Sequence, residues 1–446
     1  MTAVMSKTAE RILATLLTSY FEASGAYGKT QWGFRKRRSC RDLVAMLTAK
    51  WILSFHRGKR VGVYLSDISG AFDRVSTPLL LRKLQKKGVA ADLLRLLESY
   101  LQTRKSVVLV EGKQSRGFKL ENTIFQGTVL GPPLWNTFFS DVTTAIPESF
   151  DEEKFADDLT VFREFDESMQ DGDGQIVTLD NNEICKILKT CQASVHSWGE
   201  ENQVLFDAGK EAFEILEWRP AVNKSFRGLG TIFDSALSME DEISARVGKA
   251  KPKVTAILRC RQYYDKEDLV KQFKTHVWCI LEGNIGGFYH ACDTILGRLD
   301  QVQESFERAL DFAPGEAFFA YNLIPLTTRR DIAMLGFIFR CAKGLAPEAL
   351  QLLFPGASQV GHCYPTRFRE DRHPIQLEEL RTGTHHALLR RSVFGLVRIW
   401  NRLPAEVVMA KNIEKFQSGL TDMVRTASRR GVQEWARLLL APGAGD

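Results

Sequence analysis

The chain has eight cysteines in 446 residues and no Cys-x-x-Cys pair among them. That leaves no zinc ribbon or knuckle to expect, and thiols scattered through apolar and helical contexts read as the reduced cysteines of an intracellular protein. No apolar run approaches the length a bilayer requires. Lys7, Glu10 and Arg11 interrupt the N-terminal apolar pattern that a signal peptide would need. The expectation is therefore a chain of the nucleus or cytoplasm with no zinc and no membrane partner. No internal repeat or low-complexity segment stands out. What is present is apolar residue in quantity, 44% of the total, enough for a large core divided over two or three lobes.

Charge is distributed unevenly. From Lys29 to Arg60 ten Lys and Arg face the single acid Asp42, a net +9, and Arg82 to Lys119 carries +7. From Glu148 to Glu183 the sign reverses to −11. A basic stretch of that density repels itself unless a polyanion meets it. With Trp32, Phe34, Trp51 and Phe55 interleaved, a nucleic-acid surface is the expected use.

The acidic stretch contains the informative element, Phe155-Ala156-Asp157-Asp158, with Asp67 about ninety residues upstream. Adjacent carboxylates among apolar residues repel each other and lose water. Taken alone, Asp-Asp at a turn is also ordinary turn chemistry. Phe155, Ala156, Leu159, Val161 and Phe162 predict a hairpin with both acids at its turn. Val61 to Leu65 predicts a buried strand ending at Asp67. Three acids at strand ends and a hairpin tip can hold hard cations through oxygen, and two such ions suit in-line phosphoryl displacement. A second acidic pattern, Met169 to Asp180, echoes an EF-hand loop but has Met at the first ligand position and Asp at the last. A flexible acidic surface loop is the better reading.

Elsewhere the periodicity predicts helices over Met5–Phe21, Arg41–Phe55, Ala90–Leu101 and Asn181–Gly199. Thr77 as N-cap, Pro78 at the first position and Gly88 past the end frame another. Ser106–Val110 and Gly117–Asn122 predict a strand pair around Glu111-Gly112, Pro132-Pro133 opens a helix reaching about Ile146, and Phe213–Leu216 reads as a strand. Gly228-Leu229-Gly230 marks a tight turn. From about Asp241 the chain reads as predominantly helical, and the mixture is an α+β architecture.

Four blocks carry a resemblance. Ser66-Asp67-Ile68-Ser69-Gly70-Ala71-Phe72-Asp73-Arg74-Val75 resembles the first palm motif of reverse transcriptases. Phe125-Gln126-Gly127-Thr128-Val129-Leu130-Gly131-Pro132-Pro133-Leu134 resembles the second, and the Phe-Ala-Asp-Asp tetrapeptide the third. Gln31-Trp32-Gly33-Phe34-Arg35 is similar to the fingers block of non-LTR (LINE-type) retrotransposon enzymes. The likeness covers nearly the whole chain, most specifically in the palm. It implies a right-hand polymerase: fingers over 1–60, N-terminally truncated; a palm over 61–235 with inserted fingers elements near 80–120; a helical thumb over 236–310; a helical C-terminal region over 311–446.

The resemblance also implies roles. Asp67, Asp157 and Asp158 would hold two Mg²⁺ ions, or Mn²⁺ in their place, and Lys210 would assist pyrophosphate departure. Phe72 would exclude a 2′-hydroxyl, Gln126 and Gly127 would underlie the incoming nucleotide and template, and Arg35, with Lys36 and Arg37, would contact phosphates. Asp73 is expected to be structural rather than a fourth ligand. The implied partners are an RNA template, a DNA primer and deoxynucleotides (dNTPs), and the implied reaction is RNA-directed extension of a primer 3′-end. The Arg-Pro block that usually opens the fingers is absent, Pro133 replaces a more usual aliphatic residue, and neither an upstream endonuclease nor a C-terminal Cys/His cluster is seen. A second reading stays open, a truncated retroelement remnant that binds RNA or primer–template without catalysis. The intact acids favour the first.

Overall fold

The computed structural model describes residues 4–102, 105–119, 124–166, 169–170, 176–177, 179–357, 373–380 and 383–439. They divide into two compact units, one of residues 1–39 with 61–215 and one of residues 40–60 with 216–446.

The first unit is built on a four-stranded sheet of β1 (Arg60–Ser66), β2 (Asp151–Phe155), β3 (Asp158–Phe165) and β4 (Ala212–Leu216), in the order β4-β1-β3-β2. β1 is buried almost throughout, as its run Val-Gly-Val-Tyr-Leu predicts. β2 and β3 form an antiparallel hairpin whose register runs from Asp151 opposite Phe162 to Phe155 opposite Asp158. The turn is therefore Ala156-Asp157, and Asp158 opens the returning strand rather than sharing the turn.

β2 reads Asp-Glu-Glu-Lys-Phe, and no hydrophobic alternation announces it as a strand. Asp151 is exposed, but Glu152, Glu153 and Lys154 are buried, and each has a partner. Lys154 Nζ lies 2.9 Å from Glu152 Oε1, Thr30 Oγ1 donates to that carboxylate at 2.8 Å, and Trp32 Nε1 donates to Glu153 Oε2 at 2.7 Å. The segment Thr30–Trp32 lies alongside this edge, with Trp32 N donating to Lys154 O at 2.7 Å and Lys154 N to Thr30 O at 2.9 Å. An otherwise open edge is thereby covered.

Helices α1 (Val4–Ala23), α3 (Thr77–Lys86), α4 (Ala91–Gln102), α5 (Gly131–Phe139) and α6 (Asn181–Asn202) complete this unit, and α2 (Cys40–His56) belongs to the second. Leu17, Phe21, Tyr64, Leu80, Trp135, Phe138, Val161 and Leu188 join one hydrophobic core. Two boundaries differ from expectation. Ser76, not Thr77, is the N-cap of α3, and the helix opened by Pro132 ends at Phe139 before a 3₁₀ stretch over Ser140–Ala145. The pair around Glu111-Gly112 is two short ladders, Leu109–Val110 with Lys113–Gln114 and Lys105–Ser106 with Phe118–Lys119. Half of Met169–Asp180 lies outside the described residues. Asp180 itself caps α6, accepting from Glu183 N at 2.7 Å while Glu183 accepts from Asp180 N at 3.0 Å.

In the second unit, β5 (Ser225–Gly228) and β6 (Thr231–Asp234) form a hairpin through Leu229 and Gly230, both at positive φ. This is the backbone that a two-residue hairpin turn favours. Trp51 of α2 packs on Phe233, ring centroids 5.2 Å apart, and Asp42 of α2 takes a two-pronged bond from Arg340 at 2.9 Å. The rest is helical, chiefly α7 (Glu240–Arg259), α8 (Lys266–His276), α9 (Asp293–Ala309), α10 (Leu326–Ala342) and α11 (Ile413–Arg429). The α+β class and the helical C-terminal region are as the sequence predicts. No helix of the described residues is long and apolar enough to cross a membrane.

Candidate active site

Asp67 follows the last residue of β1, and Asp157 and Asp158 occupy the turn and first residue of the neighbouring hairpin. Adjacency of β1 and β3 in the sheet brings the three carboxylates together. Burial pushes Asp157 up from its ordinary range and the Asp67 charge adds to this, against its own backbone N–H and Lys210. Asp158 is pushed up to about 6, first by burial and then by the charges of Asp157 and Asp67. Asp157 and Asp158 are thus both held where the charged form is penalised.

Lys210 enters the same cluster. Its Nζ donates to Asp67 Oδ2 at 2.7 Å and lies 3.6 Å from Asp207 Oδ2. Its placement is set by backbone: Asp207 N donates to Asp67 O at 2.9 Å, Ser69 N to Leu205 O at 2.9 Å, and Lys210 N to Asp207 O at 2.8 Å. The bond to Asp67 raises the lysine pKa, so the ammonium is charged at neutral pH. Beside it Glu211, buried, accepts from Tyr64 Oη at 2.5 Å, Ser66 Oγ at 3.2 Å and Gln192 Nε2 at 2.7 Å, with His196 Nε2 at 2.8 Å. Burial works against the Glu211 carboxylate, but bonds from His196, Tyr64 and Gln192 outweigh it and the pKa is lowered.

The hairpin tip has a support that the sequence did not announce. Ala156 sits at φ +58, a left-handed conformation costing roughly 1–2 kcal/mol for a residue with a Cβ. The Gln31 amide holds it from both sides, Oε1 accepting from Ala156 N at 2.9 Å and Nε2 donating to Ala156 O at 3.1 Å. Trp135 Nε1 donates to the same carbonyl at 3.1 Å, and Gly33 N also donates to Gln31 Oε1, at 2.8 Å. Gly33 must be glycine, because a Cβ there would stand 2.3 Å from Ala156 N. Gln31 and Trp135 are thus positioning residues for the acid pair.

Phe72 lies on the short 3₁₀ turn Ala71–Arg74. Its ring stacks on Trp135 at 5.7 Å and meets Phe34 edge-on at 6.3 Å, which ties it to the indole that holds the hairpin tip. Gln126 and Gly127 are exposed, Gly127 at φ +76 with open space beside it. Gln126 Nε2 donates to Asp73 Oδ2 at 3.2 Å. Glu10 of α1 accepts from Val129 N at 2.7 Å and fixes that loop. Arg35 stands apart from the carboxylates: its guanidinium grips Glu22 at 2.9 and 2.5 Å and donates to Gly28 O at 2.7 Å.

The donor set suits hard divalent ions, since all three acids offer oxygen and two are penalised as anions. Among the described residues no group of three His, Cys, Asp or Glu converges as a ready metal cage. Lys210 on Asp67 Oδ2 partly neutralises the cluster.

The profile of the family described as reverse transcriptase (RNA-dependent DNA polymerase) matches residues 1–233, and the chain belongs to that family. Within it, the non-LTR likeness of the motifs is borne out by relatives. The RNA-directed DNA polymerase from mobile element jockey of Drosophila funebris is 24% identical over 332 residues, covering 70% of this chain and 35% of that protein. Its Drosophila melanogaster counterpart is 33% identical over 165 residues, 35% of this chain and 18% of that one. The probable RNA-directed DNA polymerase from transposon BS of Drosophila melanogaster is 31% identical over 138 residues, 31% and 15%. The chain spans at most about a third of the length of these curated relatives. Among solved structures, apo telomerase from Candida tropicalis gives a TM-score of 0.41 at 12% identity, over 78% of this chain and 56% of that one. At that distance the likeness carries no functional weight.

Proposed function

We propose that this chain is an RNA-directed DNA polymerase that extends a primer 3′-end with dNTPs on an RNA template. The observation that supports this best is the meeting of Asp67, Asp157, Asp158 and Lys210 within a chain of the reverse transcriptase family. The family uses divalent metal ions, and here Asp67, Asp157 and Asp158 are the residues that would hold two Mg²⁺. When bound, such ions offset the carboxylate charge and supply electrophilic stabilisation to an in-line phosphoryl transfer.

The chain's own residues do the rest. Gln31 and Trp135 fix the turn so that Asp157 and Asp158 keep their placing when charge changes around them. Lys210, charged and exposed beside Asp67, would lend a proton or charge to departing pyrophosphate. Phe72, wedged between Phe34 and Trp135, presents a ring edge to the sugar and selects against a 2′-hydroxyl. Gly127 leaves room for close backbone approach, and the basic stretches take nucleic-acid phosphates. Arg35 would reach phosphate only on release from Glu22, so its contribution in the free protein is to hold the Gly28–Gln31 segment. The subdomains follow the division into fingers, palm, thumb and helical C-terminal region set out above.

The test is primer extension on an oligo(dT)-primed RNA template with Mg²⁺ and dNTPs, run beside Asp157→Asn. The native chain is expected to extend; the variant should lose extension by at least about 10³-fold while keeping primer–template binding within about threefold. Binding without extension in the native chain would instead support a remnant that keeps the surface and not the chemistry.

A further inference from the structure

A buried carboxylate outside the acid cluster ties the turn that carries Lys210 to the end of β1. Glu211 follows Lys210 in the chain, and Ser66 precedes Asp67. These neighbours meet as two adjacent pairs, Lys210 Nζ on Asp67 Oδ2 at 2.7 Å and Ser66 Oγ on Glu211 Oε1 at 3.2 Å. Backbone reinforces them, with Glu211 N donating to Asp207 O at 3.1 Å and Ile68 bridging to Phe206. Three elements converge on the Glu211 carboxylate. Tyr64 Oη reaches it from β1, with the tyrosine ring stacked on Phe213 of β4 at 5.2 Å. Gln192 and His196 reach it from one turn of α6, and the imidazole stacks on Phe206 at 5.1 Å. The Glu211 side chain is 4% exposed and both of its oxygens are engaged, so it faces its donors rather than a nucleotide.

We propose that Glu211 is a positioning residue that places Lys210 against Asp67, an inference that rests on the polymerase reading above. The donor set explains why an acid stands here. Two hydroxyls, an amide and a ring nitrogen all point at one group, and an ionised carboxylate accepts on every side. Its charge strengthens each of those bonds, and it requires His196 to carry its proton on Nε2. Lys210 needs such an anchor. Its ammonium rides on a flexible four-carbon stem, and its side chain is 64% exposed. Among the described residues its place is set by the contacts to Asp67 and Asp207 and by the backbone of the 207–211 turn. A group displaced by about 1 Å from its working position loses up to about 10²-fold in rate.

Single-turnover primer extension by the full chain, with Mg²⁺ and dNTPs, would compare Glu211→Leu and Glu211→Gln in the native and Lys210→Ala backgrounds. Glu211→Leu should lower the maximal rate about 30-fold while the dNTP concentration for half-maximal rate stays within about threefold. Glu211→Gln should recover to within about fivefold of native, because its oxygen still accepts from β1 and the Gln192 amide can turn over to meet its nitrogen. In the Lys210→Ala background Glu211→Leu should cost less than about threefold, since residues that act through one another are not additive. Hydrogen exchange gives a readout without turnover: in Glu211→Leu the amides of the 207–211 turn should exchange at least about tenfold faster, and those of the β2–β3 hairpin at the native rate. Should Glu211→Leu fail to fold, Tyr64→Phe keeps the ring stack, removes one donor and should cost about fivefold in the native background alone. A native chain that does not extend defeats the polymerase reading, and exchange then decides whether Glu211 braces the turn. Equal losses in both backgrounds, or unchanged exchange over 207–211, overturns the proposal.

Discussion

Asp158→Asn in the metal-free protein offers a perturbation whose sign is counter-intuitive for a proposed catalytic acid, because it should stabilise the fold at neutral pH. The Asp158 carboxyl titrates near 6 in the folded chain against an ordinary value of 3.8, a rise of about 2 units, and each unit is worth about 1.4 kcal/mol. Solvent screening at this partly exposed position reduces the full figure of about 3 kcal/mol to about 2. The folded state holds the proton more tightly than the unfolded chain. Stability contributed by that group therefore falls as pH rises from about 4 to about 6, and stays low above it. Urea unfolding followed by tryptophan fluorescence in EDTA, at half-unit steps from pH 4 to 8, would read this as the difference between native chain and variant. Near pH 4 the two should coincide; by pH 7 the variant should be more stable by about 2 kcal/mol. Adding millimolar Mg²⁺ at pH 7 should recover most of the gap for the native chain and little for the variant. Equal stabilities at pH 7 in EDTA would refute the claim that this acid is held under charge strain.

Two further expectations rest on the surroundings of the acids. Gln31→Ala removes both bonds on the left-handed Ala156 in a buried setting, and should cost about 2–3 kcal/mol by thermal unfolding with a larger loss in the extension rate than in primer–template binding; an unchanged rate in a folded variant would deny Gln31 a positioning role. Phe72→Val should let ribonucleotides compete with dNTPs in single-nucleotide incorporation, raising their relative use at least tenfold, and unchanged sugar selection would remove the gate assigned to that ring.

The acid pair and its strand neighbours were legible because their chemistry is local: apolar residues around Asp157-Asp158 and an aliphatic run before Asp67 report their own strands. The hairpin tip was legible only in part. Alanine gives no sign of a left-handed backbone, and the amide that holds it lies 125 residues away at Gln31. β2 was hidden for a related reason. Glu152, Glu153 and Lys154 are polar in sequence and buried in the fold, because Thr30, Trp32 and Thr143 supply partners from elsewhere in the chain. Arg35 shows the converse: its block predicted a phosphate contact, and no local pattern pointed to Glu22 as its partner. Asp180 is a smaller case, where a residue at an apparent calcium-loop position is a helix cap.

The account stands on the three carboxylates being assembled for cations, and Mn²⁺ binding read by electron paramagnetic resonance tests that directly. The native chain should take up Mn²⁺ saturably at submillimolar concentration with loss of the free-ion signal, and Asp157→Asn, Asp158→Asn and Asp67→Asn should each weaken that uptake at least tenfold. Uptake unchanged in all three variants would contradict the account.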